Sequence, residues 1–167
     1  MIQLEGEDIV FRKPITVTAL VLMVASAVMS VSAQSSRAKA PSAPAKDVRV
    51  FKQVGCGCCE LWAQHMRKAG FTVTVTEEPQ LDRIKREQGV PAAMGSCHTS
   101  LVGGYVVEGH VPADVVQQLL TERPKVKGIV VPGMPIGSPG MEQGATKQRY
   151  SVFTFDAAGQ TALYATR

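Results

Sequence analysis

The sequence predicts an α/β protein, a sandwich in which a mixed sheet carries flanking helices and ends in a C-terminal hairpin. Three observations predict it. From Val48 onward, short alternating runs rich in β-branched residues take turns with runs of helical apolar spacing. A strand–helix–strand unit opens that series. A Pro/Gly-punctuated stretch then separates it from two final apolar runs joined by a short turn.

Val48 to Val54 alternates apolar and polar side chains before Gly55, as a strand entering a turn does. From Cys58 to Ala69, Leu61, Trp62, Met66 and Ala69 recur at helical spacing, and Gly70 supplies the left-handed stop. Trp62 reads as core within that helix, and Glu60 suits its positive N-terminal end. Phe71 to Thr76 alternates again, and Pro79 opens a helix running through Leu81, Ile84 and Lys85 to about Gln88. Gly89-Val90-Pro91 breaks the pattern. Leu101 to Glu108, interrupted by Gly103-Gly104, reads as further strand, and Pro112 starts a helix through Val115, Val116, Leu119 and Leu120.

Beyond Arg123 the Pro/Gly-rich region 124–144 contains one short apolar run, Gly128 to Val131, and its PGMPIGSPGM core excludes helix or central strand. Tyr150 to Phe155 and Thr161 to Tyr164, separated by Asp156-Ala157-Ala158-Gly159, form the hairpin signal. With crossover chirality leaving few topologies, a thioredoxin-like arrangement is the natural candidate.

At 167 residues and 45% hydrophobic content the chain suits one packed domain. Its net charge of +4 is scattered, without a basic block or aromatics to stack on bases, which argues against a nucleic-acid partner. Arg12 and Lys13 precede an uncharged apolar stretch, Ile15 to Val31, and Val31-Ser32-Ala33 places small residues where a signal peptidase reads. Residues 1–33 are therefore expected to be a signal peptide cleaved after Ala33, with the acidic start, roughly 1–11, an upstream extension. The alternative is an uncleaved anchor, since about 17 apolar residues approach the length that spans a bilayer. Residues 34–47, rich in Ala, Pro, Ser and Lys, read as a flexible tether, and residues 48–167 as the folded domain.

All four cysteines lie in that domain, and export would place them in an oxidising compartment that favours disulfides. Cys56-Gly57-Cys58-Cys59 sets a C-x-x-C pair with an extra thiol inside at a helix N-terminus, where the dipole favours thiolate. A redox pair needs only two cysteines, and a third beside them invites scrambling by exchange, so the extra thiol argues for metal. Cys97 lies about forty positions downstream, after the Pro91 break, in a region that would face the cysteine turn of a thioredoxin-like fold. Met134 and Met141 sit on irregular Pro/Gly backbone; taken alone they read as gap-fillers, but thiolate and thioether together are the soft ligands that select Cu(I). His98 adjoins Cys97, and His110 precedes Val111-Pro112; imidazole serves Cu(II) as well as Cu(I), so both are candidate ligands, His98 ahead of His110. His65 reads as a surface residue of its helix. The cysteine spacing matches neither common ferredoxin pattern.

Four blocks in order carry a family resemblance: Gly55-Cys56-Gly57-Cys58-Cys59 with Trp62 and His65; Ser96-Cys97-His98-Thr99; Glu108-Gly109-His110-Val111-Pro112; and PGMPIGSPGM at 132–141. Over roughly Val48 to Ala165 the chain resembles the periplasmic CopG-like copper-resistance proteins, thioredoxin-like metal binders long catalogued as a domain of unknown function. The resemblance implies a periplasmic domain that binds several copper ions close together through cysteine sulfur and supports interconversion of Cu(I) and Cu(II), an oxidoreductase activity toward copper. The ligands it implies are Cys56, Cys58, Cys59 and Cys97, with Met134, Met141, His98 and His110 as further members. Its expected partners are copper ions and other periplasmic copper-handling proteins, with a membrane only through a retained signal.

Two other readings stay open. One is a metal-free thiol–disulfide oxidoreductase in which Cys56 attacks and Cys59 resolves, which leaves Cys58, Cys97 and both methionines without a role. The other is a secreted domain with two structural disulfides, where a Cys56–Cys59 bridge would force Cys58 to reach Cys97.

Overall fold

The computed structural model describes residues 46–167; the signal segment and nearly all of the tether expected from the sequence lie outside them. The strands are β1 (Asp47–Lys52), β2 (Thr72–Glu77), β3 (His98–Val102), β4 (Tyr105–Glu108), β5 (Gly128–Val130), β6 (Ser151–Phe155) and β7 (Thr161–Thr166). The helices are α1 (Gly57–Lys68), α2 (Leu81–Glu87) and α3 (Ala113–Glu122). All seven strands join one mixed sheet in the order β2-β1-β3-β4-β5-β6-β7. The β1/β2 and β4/β5 pairs are parallel, joined through α1 and α3, and the remaining pairs are antiparallel. The α/β class, the mixed sheet and the C-terminal hairpin are those expected. Among the described residues no helix is long and apolar enough to cross a membrane.

Side chains alternate across each strand, so the sheet sorts its residues into two layers. Val48, Val50, Val107, Ile129, Val131 and Val152 pack with Trp62 and Met66 of α1 and Val115, Val116 and Leu119 of α3. Val90, Val106, Val130 and Phe155 form a smaller cluster on the other face. Trp62 is fully buried and its indole N–H donates to the Val111 carbonyl at 2.8 Å, which satisfies the one polar atom that burial would otherwise strand. Three residues on, His65 is not the surface residue its helical position implied. Its Nε2 accepts the Ala113 N–H at 3.1 Å, supplying an acceptor to the first turn of α3 where backbone donors lack partners.

Within the Pro/Gly region the apolar run forms β5, while 132–141 is loop and packs tightly. A Cβ on Gly140 would stand 2.6 Å from the Cys58 carbonyl oxygen and 2.8 Å from the Trp62 nitrogen, and φ there is +86°. Only glycine lets this backbone lie on the first turn of α1.

Two predictions follow from this packing. Gly140→Ala combines backbone strain with overlap and should cost about 3 kcal/mol in denaturant unfolding, against about 1 kcal/mol for Gly133→Ala, whose φ is also positive but whose Cβ meets nothing. Equal losses would mean that the loop does not press on α1. The second concerns pH. Burial holds the His65 imidazole below its usual range, against the pull of Glu142 and Asp114. The unfolded chain takes up that proton near pH 6.5, so the stability His65 contributes is present above that value and lost as pH falls toward the folded-state pKa. The urea midpoint of metal-free protein should fall from about pH 7.5 to about pH 5.5, and fall less in His65→Gln, which keeps an acceptor without titrating. An identical pH profile in the variant would remove His65 from the account.

Candidate metal centre

The register of β1 against β3 sets Lys52 opposite His98, so the turn leaving β1 and the segment entering β3 meet at one end of the sheet. The first carries Cys56, Cys58 and Cys59, the second Cys97. Cys56 occupies the cap position of α1 with extended backbone, and the next two cysteines lie in the first turn. Glu77, at the end of β2, pins that turn: its carboxylate accepts from Lys52 Nζ at 2.7 Å and from the Gly55 N–H at 3.2 Å. Those bonds, the Lys52 hydrogen bond foremost, hold the Glu77 carboxyl below its usual range.

Cys56 and Cys59 are joined as a disulfide, while Cys58 and Cys97 are free thiols. Cys58 Sγ lies 3.5 Å from Cys56 Sγ and 4.0 Å from Cys97 Sγ. The bridge forces no second one, since Cys58 and Cys97 are neighbours without being bonded. Cys59 Sγ stands 3.6 Å from the Cys97 carbonyl oxygen, a packing contact, because a bridged sulfur has no proton to donate. All four sulfurs fall within 4.8 Å of one another.

Cys97 also belongs to a second group. Its sulfur is 2.9 Å from His110 Nε2 and 3.4 Å from His98 Nδ1, and these three atoms again lie within 4.8 Å. His110 Nδ1 is 2.8 Å from the Pro139 carbonyl oxygen, which can only accept, so Nδ1 carries the proton and Nε2 presents its lone pair to Cys97. His98 is fully buried between Trp62, with ring centroids 4.5 Å apart, and the edge of His110, at 5.0 Å. Its Nε2 is one of two buried side-chain polar atoms without a partner among the described residues. Burial holds both imidazoles below their usual range, His98 well below, with His110 and Lys85 adding to the effect at His98. Burial first, then Cys58, pushes the Cys97 thiol up to about 12. The site thus sets a protonated Cys97 thiol beside two neutral imidazoles and the Cys58 sulfur, a donor set that suits a soft cation.

The 132–141 loop touches both cysteine-bearing segments. Gly133 N–H donates to the Gly95 carbonyl at 3.3 Å, Ser96 Oγ donates to the Gly133 carbonyl, the Pro139 carbonyl accepts from His110 Nδ1, and Gly140 rests on Cys58. Met134 is half exposed and Met141 partly buried on that loop. The structure therefore brings together Cys56, Cys58, Cys59, Cys97, His98 and His110, and lays the methionine-bearing backbone beside them. Sequence reasoning missed Glu77, His65 as an acceptor, the Pro139 carbonyl and the buried pair Lys85–Glu108. Of these only Glu108 left a local signal, as a carboxylate closing an otherwise apolar strand run.

Comparisons with known proteins bear on this geometry. Residues 94–141 match a family model described as "Protein of unknown function, DUF411". A search of curated proteins found no match. The solved structure titled "Copper resistance protein copG- Form 1" is 41% identical, with TM-score 0.71, over 74% of this chain and 98% of that chain. The structure titled "Copper resistance protein copG- Form 2" is 42% identical, with TM-score 0.69, over 72% of this chain and 97% of that chain. Near-complete coverage of those chains at such identity, on a shared fold with a cysteine cluster able to hold metal, establishes that this chain belongs to the CopG copper-resistance family.

Proposed function

We propose that the protein is an exported, periplasmic copper-binding protein of metal resistance. Its site is formed by Cys56, Cys58, Cys59 and Cys97, with His98 and His110 beside Cys97 and with Met134 and Met141 supplied by the loop. The observation that carries this reading is the convergence of two donor groups that share Cys97. Two groups with a common sulfur would offer donors enough to hold more than one copper. Soft sulfur favours Cu(I), and the two neutral imidazoles also accommodate Cu(II), so the site suits interconversion of the two states. Bound copper would supply one-electron chemistry; the chain's own part is to hold thiols and neutral imidazoles together under the loop. Other periplasmic copper-handling proteins are the natural donors and acceptors of the ion.

The Cys56–Cys59 bridge supports a second reading, a thiol–disulfide oxidoreductase, and it also sets a condition on the first. Reducing the bridge with two electrons and two protons yields two thiols, so copper capacity should depend on the redox state of this pair. Anaerobic loading with Cu(I) before and after reduction tests both. The copper reading expects more than one copper per reduced chain, fewer per oxidised chain, and thiols protected from alkylation. Retention of no copper, together with reduction of insulin by the reduced chain, would favour the oxidoreductase.

Two substitutions extend the test. Cys58→Ser removes the thiol that a disulfide oxidoreductase does not need, and should weaken Cu(I) binding by at least about tenfold, or about 1.4 kcal/mol, in a chelator competition. Unchanged affinity would count against a four-cysteine site. Met134→Leu combined with Met141→Leu keeps volume and apolarity while removing both sulfurs, and should lower Cu(I) affinity by about tenfold with little loss of stability. If affinity holds, the loop is a cover and its methionines are not ligands.

A further inference from the structure

One buried cluster beside the site has no part in the reading above. Glu108, the last residue of β4, is fully buried on the sheet face away from α1 and α3. Its Oε1 accepts from Lys85 Nζ and from the Ser96 N–H at 2.7 Å, and its Oε2 accepts from the Thr99 hydroxyl at 2.6 Å. Lys85 Nζ also donates to Thr99 Oγ1 at 3.2 Å. The neighbouring layer is apolar, with Val90, Val106, Val130 and Phe155. An ion pair in such a place is commonly no more stabilising than apolar residues of the same volume, so stability gives no reason for it.

Its bonds give one. Among the described residues, the single backbone donor to the Glu108 carboxylate is the amide of Ser96, the residue before Cys97. The same Ser96 side chain is pressed against Gly109, where a Cβ would come within 2.6 Å of the Ser96 Cβ, and its hydroxyl is tied to Gly133. The segment has no strand pairing of its own until β3 begins at His98. Its approach to Cys58 is therefore set by this carboxylate from below and by the loop from above.

We propose that Glu108, paired with Lys85, is a positioning residue that fixes Cys97 against Cys58, His98 and His110 by taking the Ser96 amide proton in a hydrogen bond. The proposal rests on the copper reading for its functional consequence, and its mechanical part stands apart from it.

Two double variants of the full chain test it. Lys85→Met with Glu108→Gln keeps an acceptor for Ser96 without charge; Lys85→Met with Glu108→Leu removes the acceptor as well. The Gln variant should unfold at about the urea concentration of the parent, since it leaves no charge unpaired, and the Leu variant at a somewhat lower one, since the Ser96 N–H and the Thr99 hydroxyl lose their acceptor. The Gln variant should keep Cu(I) affinity and the alkylation rate of metal-free Cys97, located by peptide mass. The Leu variant should lose affinity by about tenfold to a hundredfold and expose Cys97 to faster alkylation. A folded Leu variant with parental affinity and parental Cys97 reactivity would overturn the proposal. Hydrogen exchange in the unsubstituted metal-free chain decides the case if the Leu variant does not fold. Protection of the Ser96 amide at the level of the sheet supports the proposal, and exchange as fast as exposed loop amides overturns it. Should the parent bind no copper, the functional reading fails, while amide exchange and Cys97 reactivity still judge the positioning role.

Discussion

The site depends on one strand pairing. Because β1 and β3 run antiparallel with Lys52 opposite His98, the end of the first strand and the start of the third share one edge of the sheet. All four cysteines lie just outside that register: the cysteine turn follows β1, and Cys97 immediately precedes β3. A slip of one residue would send His98 to the opposite face and carry Cys97 with it. What prevents the slip is the burial of Val48, Val50 and Val102 against α1 and α3. The hydrophobic core thus sets the geometry of a polar site that contributes little to it.

Around that register the protein assembles donors without charge. Imidazoles held neutral by burial, one of them oriented by the Pro139 carbonyl, face a thiol that burial keeps protonated. A cation entering such a group meets lone pairs already aimed and pays chiefly in released thiol protons. The loop that crosses the site is equally economical. Its glycines and prolines let backbone lie directly on α1 and present a carbonyl to His110, which longer side chains in regular structure would prevent.

On the copper reading, the disulfide and the metal would compete for the same sulfurs. With Cys56 and Cys59 joined, two free thiols and two imidazoles remain, enough for a smaller set of donors around Cys97. This is the physical link between the copper reading and the thiol-redox reading: the state of the bridge determines how much sulfur is available. The extra thiol at Cys58, which made a simple C-x-x-C awkward from the sequence, stands between the bridge and Cys97 and belongs to either donor set.

Most strands and helices of the described domain were legible from apolar periodicity, because both layers of the sheet bury alternate residues and the helices bury stripes; β5 showed only as a short apolar run, and the first half of β3 was missed because His98, Thr99 and Ser100 are polar residues in buried positions. Apart from the start of β3, ends moved by a residue or two where turns took over, as after Lys52, where Gln53 to Gly55 leaves the strand to be held by Glu77. The cysteines, the two histidines beside Cys97 and the methionine loop were also legible, as chemically distinctive side chains in short motifs. What the sequence left open was pairing and direction. It allowed Cys58 to bridge Cys97 and put His65 on a surface, because neither S–S proximity nor a backbone partner some fifty residues away has a local signature. Nor could it show that Lys85 and Glu108 meet, since residues on a helix and a strand find each other only through packing. Composition and local spacing determined which elements and donors this chain has; the register of β1 on β3 and the close packing of the loop decided which of them touch, because contacts between distant segments exist only once the core has closed.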